Sequence, residues 1–178
     1  MCKPTLRRLA FFLLALLIVS ASYAAATVFG AYHFELRKEV ELRKLGADVT
    51  MFYCGPDWVP DGLRARISVF DRIAMVRFQS SPKVDNNALV SVVGLEHLYY
   101  LDLHDTRIGD DGLRFLSSLQ GLQQLNLSQT NITDSGLEQL KDLRKLEIIF
   151  VESTNVTQRG RKALRKAIEG CYVSPTDE

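Results

Sequence analysis

Asp102, His104 and Ser128 carry the three functional groups of a serine hydrolase, namely a carboxylate, an imidazole and a hydroxyl. In such a triad the imidazole takes the hydroxyl proton and the carboxylate orients the imidazole, so the side chains must lie within hydrogen-bond reach of one another. Asp102 and His104 are two residues apart and would share one face of a strand, whereas Ser128 follows 24 residues after His104. Whether these groups can do chemistry therefore depends on the elements that position them.

The sequence from residue 98 to residue 170 repeats itself every 24 residues. The positions of an L-x-x-L-x-L pattern are filled three times, by Leu98, Leu101 and Leu103, by Leu122, Leu125 and Leu127, and by Leu146, Ile149 and Val151. A threonine and a glycine recur with the same period, at Thr106, Thr130 and Thr154 and at Gly112, Gly136 and Gly160. This period and spacing are typical of leucine-rich repeats, in which each unit supplies one strand and one helix.

Each unit must bury its apolar side against a neighbouring unit, so the strands are expected to stack into a parallel sheet. We therefore predict an α/β fold, a right-handed leucine-rich-repeat solenoid of about four strand-helix repeats. The threonine hydroxyls are expected to bond the backbone of adjacent turns. Asp110 and Asp134, with Asn86 one unit earlier, are expected to cap the helix starts. The helices are expected to face inward through leucines at helical spacing, for example Leu113 and Leu116.

Residues 101–116 and 125–140 resemble the L-x-L-x-x-T-x-I-T-D-x-G-L class of leucine-rich repeat, whose fold is similar to that of ribonuclease inhibitor. Short bacterial proteins of this class often begin with one membrane helix, followed by segments similar to residues 44–49 and 55–58 here. Their closing segment is similar to residues 167–173, although Glu169 and Gly170 stand where Pro-Asn is usual. The resemblance implies the fold and a membrane anchor, but such proteins mostly have no assigned activity.

Residues 9–32 contain no charged side chain, and about 36 Å of helix is long enough to cross a bilayer. The alternative is a cleaved signal peptide, with a basic start at Lys3, Arg7 and Arg8 and a small-residue site at residues 24–26. We predict an uncleaved single-pass anchor, with the repeats on the outer, periplasmic or extracellular side. The predicted domains are an anchor at residues 1–34, a stalk and N-terminal cap at 35–72, and the repeat domain at 73–178.

The cap is predicted to contain a short helix that begins near Pro60 and presents Leu63, Ile67 and Phe70 to the first repeat, together with Trp58. At the other end, basic side chains concentrate on the last helix, which suits a solvated terminal repeat. Contact of that helix with acidic lipid headgroups or an acidic partner is the alternative.

Charge and cysteine content exclude several function classes. Lys and Arg number 22 and Asp and Glu 21, and three of the basic residues precede the apolar run, so no basic field for nucleic acid remains. Cys2, Cys54 and Cys171 lack the paired spacing of a zinc site or a disulfide framework. We predict no metal and no cofactor.

Strand alternation places eight candidate binding residues on the open concave face of the sheet: Arg77, Tyr100, Asp102, His104, Asn126, Ile148, Phe150 and Glu152. An open, wet sheet has no strained nucleophile turn, oxyanion donors or water-excluding pocket, so we reject the hydrolase hypothesis and predict no enzyme activity. Tyr100, Ile148 and Phe150 are apolar on a mostly polar face, as is typical of binding sites. The alternative is that the C-terminal tail folds back over them through Tyr172 and Val173.

These patterns favour a membrane-anchored module that binds a protein or peptide through its concave sheet. The alternative is a structural component of the cell envelope that associates with itself through its membrane helix and the edges of the solenoid.

Overall fold

The computed structural model describes residues 6–57, 59–64, 71–78, 80, 81 and 84–175, and within the first helix the side chains of residue 14 and of residues 16 onward. The helices are α1 (Leu6–Lys44), α2 (Asp61–Arg64), α3 (Asp110–Leu113), α4 (Asp134–Glu138) and α5 (Gln158–Ala167). The described residues also form two 3₁₀ segments, Asn86–Val92 and Arg114–Ser118. The strands are β1 (Ala47–Tyr53), β2 (Asp71–Phe78), β3 (Tyr100–Asp102), β4 (Gln124–Asn126), β5 (Ile148–Phe150) and β6 (Tyr172–Ser174).

The strands form one sheet in the order β1 to β6. Strands β2 to β6 are parallel, and β1 pairs antiparallel with β2. Residues one period apart lie side by side, as Leu101 pairs with Leu125 and Leu125 with Ile149. The predicted α/β leucine-rich-repeat fold with a parallel sheet is confirmed, and the apolar repeat positions form one continuous core behind the sheet.

The helical side of most units is not one regular α-helix, although the sequence analysis expected helices there. Before the last unit it consists of 3₁₀ segments and α-helices of four or five residues, whereas α5 has ten. Leu113, Leu116 and Leu119 are spaced by three, and a 3₁₀ segment with three residues per turn aligns that spacing on one line. In α5 the buried Gly160 and Leu164 are spaced by four, which suits an α-helix instead.

The threonine after each strand bonds its own turn, not an adjacent turn as predicted. The hydroxyls of Thr106, Thr130 and Thr154 donate to the carbonyls three residues earlier, at 2.6, 2.6 and 2.7 Å. The reason is local reach, because a residue in left-handed conformation precedes each threonine and folds the turn back toward the strand end. The hydroxyl thus closes the turn within one unit.

Asp110 and Asp134, at the starts of α3 and α4, bridge two units, and the prediction that they cap their own helices is wrong. Asp110 accepts from the amide of Thr133 at 2.8 Å and from its hydroxyl at 2.6 Å, and Asp134 accepts from Thr157 in the same way at 2.7 and 2.6 Å. Asn86 accepts from the amide of Gly109 at 2.9 Å. Thr133 and Thr157 are themselves the N-caps of α4 and α5.

The recurring glycine makes room for this bridge. A Cβ added at Gly136 or Gly160 would overlap the carboxylate of Asp110 or Asp134, and one at Gly112 would crowd Asn86. Space rather than backbone conformation therefore explains why glycine recurs once in every unit.

The C-terminal half of α1 covers the first repeat together with β1. Leu42 is fully buried in the core and Glu35 is 4 % exposed. Of the residues predicted to cover the first repeat, Leu63 does not do so, because α2 buries no residue and Leu63 is 47 % exposed. Trp58, Ile67 and Phe70 lie outside the described residues. Since α1 runs through residue 34, the predicted boundary between anchor and stalk lies inside one helix, and the division into domains stays a prediction.

The C-terminal segment closes the sheet. Tyr172 pairs with Ile148 and Val173 with Ile149, so this segment extends the sheet and does not fold back over the concave patch. Val173 is fully buried, and Cys171 is buried while Cys54 is exposed, both as free thiols.

Candidate functional site

The concave face of the sheet consists of rows of side chains that lie one period apart. The first row contains Met75, Tyr100, Gln124, Ile148 and Tyr172, and the second contains Arg77, Asp102, Asn126, Phe150 and Ser174. Most of these side chains are half-buried, and Tyr172 is 48 % exposed. Tyr172 is a residue that the sequence analysis missed, although its place one period after Ile148 was a usable signal.

Tyr100 is held by its charged neighbours. Its hydroxyl donates to Asp102 Oδ2 at 3.3 Å, and the guanidinium of Arg77 lies over its ring at 5.4 Å. Arg77 also lies 3.8 Å from the carboxylate of Asp48 on β1. Burial, with the Asp102 carboxylate close by, raises the pKa of the Tyr100 hydroxyl, so the group remains a hydrogen-bond donor at neutral pH. These contacts fix the orientation of an aromatic ring at the start of the patch.

A cavity of about 350 Å³ opens where the parallel strands end. Five of the predicted residues line it: Asp102, His104, Asn126, Phe150 and Glu152. The other lining residues are Ser128, Gln129 and Ser153. Arg77, Tyr100 and Ile148 are on the same face but outside this cavity. The predicted residues therefore form two adjoining groups: five line the cavity, and Arg77, Tyr100 and Ile148 lie beside it. Their role in binding stays a prediction.

The hydrogen bonds of the cavity do not assemble a hydrolase triad. The Ser128 hydroxyl donates to Glu152 Oε2 at 3.3 Å, and Glu152 Oε1 accepts from the hydroxyl of Ser174. Asp102 Oδ1 accepts from the backbone amide of His104 at 3.0 Å rather than from its ring. Among the described residues, no group of three or more His, Cys, Asp or Glu side chains could hold a metal ion.

A larger cavity of about 470 Å³ lies on the helical side between α4 and α5. Its lining mixes Glu138, Lys141 and Arg159 with the small or apolar Ala163 and Leu137. In the described part of the chain every buried side-chain nitrogen or oxygen has a hydrogen-bond partner. No buried polar side chain in this cavity is therefore left unpaired as a signal of a ligand site. The concave face, where polar and apolar groups converge on one surface, is the better candidate.

Glu35 is a second residue that the sequence analysis missed. Its carboxylate is buried and accepts from the backbone amide of Ile73, at the start of β2, at 3.1 Å. Glu35 and the buried Leu42 are seven residues apart and therefore lie on one face of α1. This spacing is the sequence signal that could have predicted a packed position for Glu35. Beside Glu35 lies a cavity of about 390 Å³ that is lined by residues of α1, β2 and the loop before β3.

One helix of the described chain is long and apolar enough to cross a membrane. The candidate span is the 29-residue stretch Leu16–Lys44, and its apolar window is not covered by protein. A signal sequence near the N-terminus would fit the same description.

Residues 96–156 match the family model for leucine rich repeats. Curated proteins gave no match. Solved structures that resemble the chain include an internalin from Listeria monocytogenes, at 15% identity and a TM-score of 0.36 over 51% of this chain and 32% of that one. The actin-binding site 2 of leiomodin-1 has 17% identity and a TM-score of 0.46, covering 55% of this chain and 65% of that one. A leucine-rich-repeat protein from Leptospira interrogans has 18% identity and a TM-score of 0.36, and the match covers 48% of this chain and 27% of that one. The chain thus spans less than two thirds of the length of each of these proteins.

Proposed function

We propose, on the premise that residues 96–156 form leucine-rich repeats, that this protein is a membrane-anchored module that binds a protein or peptide on its concave sheet. The observation that supports this function is a group of apolar side chains on that face, the apolar patch, which consists of Tyr100, Ile148, Phe150 and Tyr172. Ile148 and Phe150 are half-exposed on β5, and Tyr100 and Tyr172 lie in the same row as Ile148. Repeats project such side chains from a rigid sheet onto one surface, and exposed apolar clusters with polar neighbours tend to be binding sites.

The cavity at the strand ends supplies the polar contacts of the proposed site. Asp102 and Glu152 are its charged acceptors, and His104 and Asn126 add neutral polar groups. A peptide that places an apolar side chain near Phe150 can reach these groups with a polar or basic side chain. The apolar patch then contributes affinity, and the cavity sets the orientation of the peptide.

Phe150→Ala is expected to weaken partner binding more than about tenfold, because aromatic anchors near the centre of a binding surface contribute most of the affinity. The partner is first identified by photo-crosslinking from native membranes, with a photoreactive residue in place of Phe150, and its Kd is then measured with purified proteins. Phe115→Ala is the matched control, since Phe115 is half-buried on the helical side. A Phe150→Ala variant that unfolds while binding of the folded fraction stays intact would assign Phe150 to the core. Capture of only further copies of this chain would instead favour the self-associating envelope component.

The apolar helix is part of the proposal as an uncleaved anchor, with the short basic N-terminal tail inside and the repeats outside. The described side chains from residue 14 to residue 34 are almost all exposed, so nothing in the fold shields them from water. The full-length protein is expected to stay in the membrane pellet after carbonate extraction, with the intact mass of the complete chain. Release of a soluble species that begins near Thr27 would contradict the anchor and support a signal peptide.

A further inference from the structure

Three contacts and one shared cavity define the direction in which α1 leaves the repeats. The Phe34 ring packs on Gly94, where an added Cβ would lie 3.1 Å from it, and Lys38 Nζ donates to the carbonyl of Val90 at 3.3 Å. Nearer the C-terminus of α1, Lys44 lines one cavity together with Asn87. The residue numbers on the repeat side fall from 94 to 87 while those on α1 rise from 34 to 44. Therefore α1 runs antiparallel to the 3₁₀ segment Asn86–Val92. The bond from Ile73 to Glu35 places this point of α1 at the start of β2.

The N-terminal part of α1 therefore leaves the repeats at the edge where the parallel strands begin. We call this the proximal edge, formed by the loops before β3 to β6, at residues 93–99, 119–123, 139–147 and 168–171. The turns after β3, β4 and β5, at residues 103–109, 127–133 and 151–157, form the distal edge. Since equivalent loops of a parallel repeat lie at one level, the whole proximal edge faces the side from which α1 emerges.

The charge-free part of α1 ends close to this level. It ends at Tyr32, three residues before Glu35, which is about 4.5 Å along a helix. The headgroup layer adds about 5–7 Å to each side of the hydrocarbon core. Ala31 and Phe34 line one cavity with Glu96 and His97 of the first proximal loop. When residues 9–32 span the bilayer, this loop is at the depth of the lipid headgroups.

The side chains of the proximal edge suit a zwitterionic surface. Its exposed charged residues carry both signs: Glu96, Lys141, Asp142, Arg144, Lys145, Glu147 and Glu169. None of these loops exposes a large apolar side chain that would insert into the hydrocarbon. Mixed charges can pair with both the phosphate and the ammonium group of a zwitterionic headgroup, whereas binding to an acidic surface would need an excess of basic residues.

We propose that the proximal edge rests on zwitterionic lipid headgroups, so that the sheet stands on the bilayer with its distal edge pointing away. The inference rests on the proposed anchor. It follows from the rigid junction, because α1 enters the core of the repeat domain at Leu42 with no linker between span and domain. The concave cavity at the strand ends then opens on the side remote from the bilayer, where a soluble partner can reach it.

The experiment compares two fluorescent labels on the full chain in phosphatidylcholine nanodiscs that contain a lipid with a headgroup-attached nitroxide quencher. Ser118→Cys lies one period after Gly94, next to the proximal edge, and Ser135→Cys lies at the start of α4, next to the distal edge. Both serines are exposed, and the substitution is nearly isosteric. Cys2 and Cys54 are replaced by Ser. Cys171 stays, because burial raises the pKa of its thiol to about 11 and keeps it unreactive.

Quenching at Ser118→Cys is expected to exceed that at Ser135→Cys at least about threefold, because the helical side separates the two positions by about 12–16 Å. Equal quenching, or stronger quenching at Ser135→Cys, in discs that retain the full-length chain would overturn the orientation and leave the anchor intact. Quenching at Ser118→Cys that requires added anionic lipid would overturn the zwitterionic assignment. Loss of the chain from the discs, with an intact mass lacking the N-terminal residues, would overturn the anchor and the inference together.

Discussion

Leu127→Ala is expected to lower the free energy of unfolding by about 2–5 kcal/mol, the usual cost of removing a large buried aliphatic side chain from a packed core. Leu127 is completely buried. Its equivalents in the neighbouring units are buried as well, since Leu103 has no exposed surface and Val151 is 3 % exposed. A leucine in the middle of the stack contacts units on both sides, so the cavity cannot be filled by the movement of one loop into it.

Chemical denaturation of the variant and the unchanged protein in the same detergent measures this difference. Leu63→Ala is the matched control, because Leu63 is 47 % exposed on α2 and its truncation should change stability by less than about 0.5 kcal/mol. Equal effects of the two substitutions would mean that the 24-residue period does not define the core.

The period alone was enough to predict the parallel sheet and its rows. Each apolar position of one unit lies beside its equivalent in the next, as Leu101 does beside Leu125, because every unit has the same length and the same side must be buried. The concave rows follow from that register, which is why Tyr100, Ile148 and Phe150 were found from the sequence. Exposure of these side chains follows from alternation along each strand.

The partners of polar side chains were not predictable in the same way. Thr130 can reach its own turn or the next one, and only the backbone path decides that it donates to Leu127. Glu35 was assigned to the start of the stalk, yet it is buried on the face of α1 that also carries Leu42. Arg77 contacts Asp48 through an antiparallel strand outside the repeat, so no period links the two residues.

The bridges between units depend on a match between two residues of neighbouring units. Where the accepting side chain is Asp110, its partner Thr133 offers an amide and a hydroxyl, and both carboxylate oxygens are used. Where it is Asn86, the partner is Gly109, which has only an amide to offer, and one amide oxygen is enough. A carboxylate is therefore present where two donors must be satisfied.

Asp110→Ala is accordingly expected to cost about 1.5–3 kcal/mol of stability, because two hydrogen bonds to a charged acceptor are lost and the donors of Thr133 are left partly buried. Asp110→Asn should cost less, since it keeps an acceptor for the Thr133 amide. Asp111→Ala is the control at an exposed neighbour. Besides denaturation, hydrogen exchange at the Thr133 amide tests the cause, and it should accelerate in Asp110→Ala more than in Asp110→Asn. An unchanged exchange rate at Thr133 in Asp110→Ala would show that water replaces the carboxylate without cost, and that packing of the leucines alone couples the units.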